Sequence, residues 1–476
     1  MNLPYNLNDK GSIVEYAKLL KDRTLRDVCE QEIENHGYLG KGNFGQILEK
    51  FYFKYEPNSD SEPDFKIAKL ELKSSPLKKL QNNQYRSKER LVLNIINYLE
   101  IVHQEFYTSS FWLKNSNILL VFYLHQKDTD VLDFVIRIVD EWTFSAIDLE
   151  IIKKDWQIIQ NKVIEGNAHE LSEGDTYYLG ACTKGSKGGN PRQQPNNISI
   201  LAKQRAYSLK SGYVNHIVAS LAGMTTEVYG KLIPTVEEAK HVTIEEKVIE
   251  KFAPLIGKTD RELVSEFNLG ELNVNAKNYH SSVTNKIINS VFNVPDGVKI
   301  EDYIEEFRKA EITVKTVRLK ENNLPSEDVS FPTFEYTELV NEDWIDSDFK
   351  AALEHKFLFI FFQYQVDELV LRGVKFWNMP YEDINLVEEV WQRTKDIVSC
   401  GNIVSGIKVN SSGKETRKTN FPGKKFSHIS HVRPHARDAE DTYHLPVNDN
   451  FTKSNQYTKH CFWLNSTYVR DEIYLK

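Results

Sequence analysis

Apolar residues recur at three- and four-residue steps over 12–35, 42–54, 88–104 and 148–165, and again over 243–268, 282–292 and 382–398. That spacing predicts helices with one buried face. Short apolar or alternating runs at 67–72, 118–124 and 134–139, and later at 312–317 and 357–365, predict strands. Helices around short mixed sheets make an α/β (mixed) fold. At 476 residues the chain exceeds what one ordinary core organises, so two domains are expected.

The two halves resemble each other. Residues 206–214 (AYSLKSGYV) echo 461–469 (CFWLNSTYV). Asp155-Trp156-Gln157 has a partner in Val390-Trp391-Gln392, and the run from Leu19 to Thr24 has one in Leu255 to Asp260. Lys114 stands before the strand at 118–123, and Lys356 stands before 357–362. The pairs keep their order and approximate separation, as a duplicated domain would. The expected division is 1–225, a linker at 226–242 around Pro234, and 243–476.

Charge alters this picture only locally. The net charge of -8 argues against a generally nucleic-acid-binding surface, but the basic residues are clustered. Eight lie between Lys66 and Arg90, six between Lys184 and Lys210 with no acid among them, and seven between Lys414 and Arg437. Such clusters point to local contact with a polyanion. Four separated cysteines without a CxxC pair suit a reducing, cytoplasmic setting. No apolar run reaches the roughly 18 residues of a membrane span, and no secretory leader is visible, so no membrane partner is expected.

The segment from Pro63 to Lys73 (PDFKIAKLELK) carries the candidate chemistry. On a strand, Glu71 and Lys73 share one face while Leu70 and Leu72 point into the core. Asp64, ahead of the strand, can turn back toward Glu71. Two carboxylates and an ammonium would then converge. Asp64 and Glu71 are hard oxygen ligands suited to Mg²⁺, and Lys73 could orient a water or stabilise charge on phosphorus. Glu49, on the preceding helix, could act through a water or a second metal. The same residues could instead form a solvated salt bridge among Glu71, Lys73 and Lys69.

These residues resemble the MutH-like endonucleases, and within them the two-domain type II restriction enzymes that cut GATC. The similarity runs along nearly the whole chain, through 87–98 (SKERLVLNIINY), 168–174 (AHELSEG), 182–185 (CTKG) and 205–213 (RAYSLKSGY). The resemblance implies metal-binding acids at Asp64 and Glu71, a catalytic lysine at Lys73, a helix glutamate at Glu49 and a further active-site lysine at Lys114. It implies a base-reading loop at 179–192, in which Lys184 aligns with a lysine that reaches base edges and Cys182 stands where the family has arginine; by their chemistry Lys184, Lys187 and Arg192 can bind phosphates or the O6/N7 edge of guanine. Tyr207 and Lys210 match positions near the substrate base. Gly185, Gly188 and Gly189 would let the loop approach DNA closely.

In the second half, Glu306 lies over Asp64, Thr313 over Glu71 and Lys315 over Lys73, with Asn289 near the counterpart of Glu49. The missing carboxylate implies a degenerate, catalytically silent domain. Its basic loop, with Lys424, Lys425, Arg433 and Arg437, is expected to face effector DNA. His428, His431 and His435 lie in the same loop, but no cysteine or acid completes a zinc pattern there. The resemblance thus implies Mg²⁺-dependent hydrolysis of double-stranded DNA at 5′-GATC-3′, before the G. It also implies a chain that is monomeric when free and dimeric on DNA, beside a cognate methyltransferase. A repair-type nicking enzyme and a non-catalytic DNA-binding regulator are the alternatives.

Overall fold

The computed structural model describes residues 3–35, 44–57, 60–80, 84–184, 190–224, 229–270, 273, 275–366, 368–409, 413 and 415–476. The chain forms two compact units, Met1–Ile244 with Ile304–Glu311, and Glu245–Tyr303 with Ile312–Lys476.

In the first unit, a four-stranded mixed sheet runs in the order Tyr85–Ser87, Glu71–Lys79, Ile118–Leu124, Ile136–Trp142. The central pair is parallel and both edges are antiparallel. Ile118 to Phe122 are fully buried, as a strand covered on both faces requires. A second sheet places Arg205–Leu209 between Leu91–Ile95 and Leu179–Thr183. The helix Ala146–Ile164, capped by the Ser145 side chain, buries Trp156. The Asp155 carboxylate accepts the backbone N–H groups of Tyr177, Tyr178 and Leu179 at 2.6–2.9 Å, fixing the approach to the strand Leu179–Thr183.

The second unit repeats this plan residue for residue in its central pairings. Thr313–Leu319 lies parallel to Phe357–Gln365, with Glu368–Trp377 antiparallel beyond it. Glu71 pairs with Ile118 and Thr313 with Phe357; Lys73 pairs with Leu120 and Lys315 with Phe359. In the second sheet, Leu91 and Leu179 flank Leu209, and Val329 and Ser430 flank Leu464 in the same way. Both long helices have 19 residues with tryptophan at the eleventh place, Trp156 and Trp391. Asp22 and Gly257, both at positive φ, each donate an N–H to the carbonyl of the matching strand residue, Ile136 or Leu371. Residues 19–24 are therefore duplicated at 254–259, one position from the sequence pairing.

The predicted boundaries need correction in four places. The helix Glu305–Ala310, placed by sequence in the second domain, belongs to the first unit. Of the expected linker 226–242, residues 226–228 lie outside the described residues and 229–242 are not a free tether: Leu232 and Ile233 are buried, their N–H groups bond the Glu306 carboxylate at 2.9–3.1 Å, and Val236–His241 is helical. The run 88–104, read as a helix, holds the strand Leu91–Ile95 and only the short helix Tyr98–Ile101. Its buried Leu91 and Leu93 alternate with half-exposed Val92 and Asn94, so the period is two. The helix expected over 12–35 breaks at Asp22, between Lys10–Lys18 and Leu25–Asn35.

Candidate active site

The expected strand over 67–72 begins later, at Glu71, and runs to Lys79. Residues 66–69 form a turn closed by an antiparallel bridge between Phe65 and Leu70, with Lys69 at φ 51°. Ile67 is 72% exposed, because the turn rather than the sheet holds it. That turn sets Asp64 beside the strand. Its Oδ2 accepts the Leu72 N–H at 2.9 Å, and its own N–H donates to Glu71 Oε2 at 3.1 Å.

Glu71 is 1% exposed. Its Oε1 takes the Lys73 ammonium at 2.6 Å, and its Oε2 lies 3.5 Å from the Lys114 ammonium. Burial, reinforced by the Asp64 charge, still holds its carboxyl above the usual range despite both lysines. Glu49 sits on a π-helical turn, Leu48–Tyr52, that continues the short helix Phe44–Ile47. Burial first, then the Asp64 charge, pushes its pKa up to about 7. Lys114 is itself buried and donates to the carbonyls of Asp60 and Glu62 at 2.7 and 2.8 Å. It thereby ties the approach to Asp64 against Glu71, leaving Lys73 as the more accessible ammonium.

The five residues picked from sequence are thus assembled around one strand end. Tyr55 was missed. Its backbone N–H bonds the Glu49 carbonyl, its ring packs edge-on against Phe65 at 5.6 Å, and its buried hydroxyl has no hydrogen-bond partner among the described residues. The Asp64, Glu49 and Glu71 charges all raise its pKa after burial has done so. The only sequence signal was an aromatic six residues beyond the helix glutamate.

Among the described residues no group of three His, Cys, Asp or Glu side chains is placed to hold a metal ion. A magnesium ion needs only one or two carboxylates, since it keeps several waters. Asp64 and Glu71 are joined through the Asp64 N–H, and both Glu49 and Glu71 are pushed up in part by the Asp64 charge. A cluster short of positive charge in this way fits a hard divalent cation.

Residues 53–155, which include Asp64, Glu71, Lys73 and Lys114, match the family model of the DNA mismatch repair enzyme MutH. The chain is 37% identical over 458 residues to the type II restriction enzyme Sau3AI of Staphylococcus aureus, covering 91% of this chain and 92% of that protein. The chain belongs to the MutH-like type II restriction endonucleases. It is a site-specific deoxyribonuclease with the mixed α/β fold of that family.

In this restriction endonuclease, the residues expected to face DNA are placed unevenly. Lys184 is exposed, and its N–H bonds the Gln204 carbonyl. Arg192, on a short strand, donates twice to Gln204 Oε1, at 2.6 and 3.1 Å. Gln204 therefore ties the Arg192 side chain to the backbone of Lys184. Lys187, with Gly185, Gly188 and Gly189, lies outside the described residues.

Tyr207 and Lys210 are interior, contrary to the expected DNA contacts. Tyr207 is 2% exposed and packs against Phe111 at 4.9 Å; it faces the core because it lies on the central strand of the second sheet. Lys210 is buried with its ammonium on the Thr176 carbonyl at 2.6 Å. Both shape the sheet rather than present themselves to a groove.

The second unit needs a different correction. Glu306 is not the counterpart of Asp64, since it is spent on the Leu232 and Ile233 N–H groups. Glu301 fills that place: its Oε1 accepts the Val314 N–H at 3.1 Å, as Asp64 accepts that of Leu72. Nor is Lys356 the counterpart of Lys114. Its carbonyl accepts the Thr313 N–H as that of Asn117 accepts the Glu71 N–H, so Lys356 matches Asn117. Arg433 holds the sheet position of Cys182, and so carries the arginine absent from the first unit. It donates to Asp328 at 3.2 Å and stacks over Trp463 at 3.8 Å. Lys424 also binds Asp328, at 2.6 Å, whereas Lys425 is exposed and Arg437 projects into solvent beside Asp441.

Proposed function

We propose that this chain cuts double-stranded DNA at 5′-GATC-3′, before the G, leaving a 5′-phosphate, and that it uses Mg²⁺ held by Asp64 and Glu71. The observation that carries this reading is the meeting of Asp64, Glu71 and Lys73 at one strand end. The site preference comes from the resemblance along nearly the whole chain. When bound, Mg²⁺ supplies charge neutralisation at the scissile phosphate and a more acidic water. Lys73, anchored on Glu71, would orient a water or meet the charge that develops on phosphorus. Lys114 holds the 60–64 segment in place by its two carbonyl contacts. Glu49, poised near neutrality, can take a proton from a water in the cluster.

The second unit is the effector module in this reading. Thr313 replaces the buried carboxylate, so the unit binds a second GATC duplex without cutting it. Chains are monomeric when free and pair on DNA, and a methyltransferase acting on the same sequence protects the host.

Plasmids with one and two GATC sites, digested with Mg²⁺ and sequenced at their ends, test the proposal. Linear products with ends before the G, formed faster from the two-site plasmid, are expected. Asp64→Ala should abolish cutting while DNA binding persists. Intact plasmid under every divalent cation, or nicked circles alone, would remove the reading.

A further inference from the structure

One ion pair is conserved in place between the two units but reversed in sign. Arg90 stands one residue before Leu91, and Glu173 six before Leu179; the two side chains form an ion pair. Leu91 and Leu179 both pair with Leu209. In the second unit Asp328 stands one residue before Val329, and Lys424 six before Ser430; they pair at 2.6 Å. Val329 and Ser430 both pair with Leu464, the equivalent of Leu209. Acid and base have exchanged positions, so the contact survives while the charge of each segment inverts.

The inversion extends beyond the pair. Residues 173–175 read Glu-Gly-Asp in the first unit, with Asp175 neutralised by Lys162 at 2.8 Å. The matching residues 424–426 read Lys-Lys-Phe. The facing helix follows the same trend. Counting from equal starts, the thirteenth residue is Ile158 in the first unit and Arg393 in the second. Arg393 and Asn420 to Phe426 line an open cavity of about 670 Å³ within the second unit. Lys424 is spoken for by Asp328. Arg393 and Lys425 are exposed and enter no ion pair among the described residues. Phe426, 50% exposed, presents an aromatic ring beside them.

We propose that this cavity is a phosphate-binding site that the second unit has and the first lacks. It holds a backbone phosphate of the second duplex between Arg393 and Lys425, with Phe426 against the adjoining sugar or base. The proposal rests on the effector reading above and names the residues that would carry it. Lys424, held by buried Asp328, positions the loop rather than meeting the ligand.

The test uses the full chain carrying Asp64→Ala, so that DNA binds without being cut. Duplex binding is titrated with and without Arg393→Glu/Lys425→Glu, across a range of salt. Two duplexes per parent chain are expected. The charge reversal should weaken the second by at least about tenfold and lower its salt slope by about two, one for each cation lost. Arg393→Gln/Lys425→Gln, which keeps side-chain size, should show the same loss of slope and guards against misfolding. A second duplex held with unchanged affinity and slope overturns the cavity while the effector reading stands. If the parent binds only one duplex, the effector reading falls, and inorganic pyrophosphate then decides. Pyrophosphate bound by the parent but not by the variants keeps the site as one for free phosphates; no binding overturns it.

Discussion

Glu49 and Tyr55 show how burial prepares the strand end for its chemistry. The Glu49 carboxyl, raised from 4.5 to about 7, is neutral in half of the molecules near pH 7 before any cation arrives. A folded-state pKa above the unfolded value favours the protonated form. The contribution of Glu49 to stability therefore declines as pH rises from about 4.5 to about 7. In EDTA, wild type should lose stability relative to Glu49→Gln across that window, and Mg²⁺ should reverse the loss with proton release; calorimetry in two buffers of different ionisation enthalpy reads both. Tyr55→Phe is the complementary test. Its hydroxyl has no partner to lose, so the melting temperature should hold or rise slightly. If the hydroxyl donates to a water in the acid cluster, kcat should fall about tenfold, equivalent to ~1.4 kcal/mol, one good hydrogen bond. Equal rates would make Tyr55 a packing residue. Glu71 and Lys73 were legible in sequence because they share one strand with Asp64 close ahead of it, whereas Lys114, on a helix, came only from the resemblance. Tyr55 was not legible, because only the fold brings the segment after the π-helical turn to Asp64.

The helix Glu305–Ala310 is the element whose role no local pattern announces. Its Lys309 ammonium is buried between Asp148, at 2.8 Å, and Glu305, at 2.7 Å, while Tyr213 donates to Asp148. Gly212 admits this helix. A Cβ there would stand 2.3 Å from the Arg308 carbonyl oxygen and 3.0 Å from that of Lys309, both backbone atoms that cannot step aside. Gly212→Ala should cost about 1–3 kcal/mol by overpacking, read from the midpoint of denaturant unfolding. His216, on the helix Ser211–Leu221 that Gly212 also belongs to, is lowered from 6.5 to about 4, first by burial and then by the Lys309 charge. A depressed folded-state pKa means stability that is present above about pH 6.5 and lost as pH falls through about 4. His216→Phe should flatten this acid limb. The slopes of His216 and Glu49 oppose each other between pH 4.5 and 6.5, so each shows only as a difference between wild type and its own variant. Sequence placed residues 305–310 in the second half by chain order; only tertiary contacts move them to the first unit.

At the scale of the whole molecule, the duplication was legible where strands and the long helices carry it. The pairing of 206–214 with 461–469, and of Trp156 with Trp391, matches the observed registers. It failed where loops changed length, which is how Glu306 was taken for the partner of Asp64 and how Lys356 was matched with Lys114. The corrected register leads to a sharper prediction about the second unit. Glu301 already grips the strand N–H as Asp64 does, and Lys315 keeps the place of Lys73, donating to the Ser330 carbonyl. Thr313 alone interrupts the carboxylate pair, its hydroxyl engaged with His355 at 3.1 Å. Thr313→Glu should therefore add one divalent-cation site per chain, visible as an increment in Mn²⁺ binding stoichiometry. Cutting should not follow. Ala352 occupies the fifth position past the helix cap Ser347, as Lys114 does past Ser109, so the second unit has alanine where the first has that lysine. Unchanged stoichiometry in Thr313→Glu would mean that a carboxylate at this position is not enough to make a cation site in the second unit.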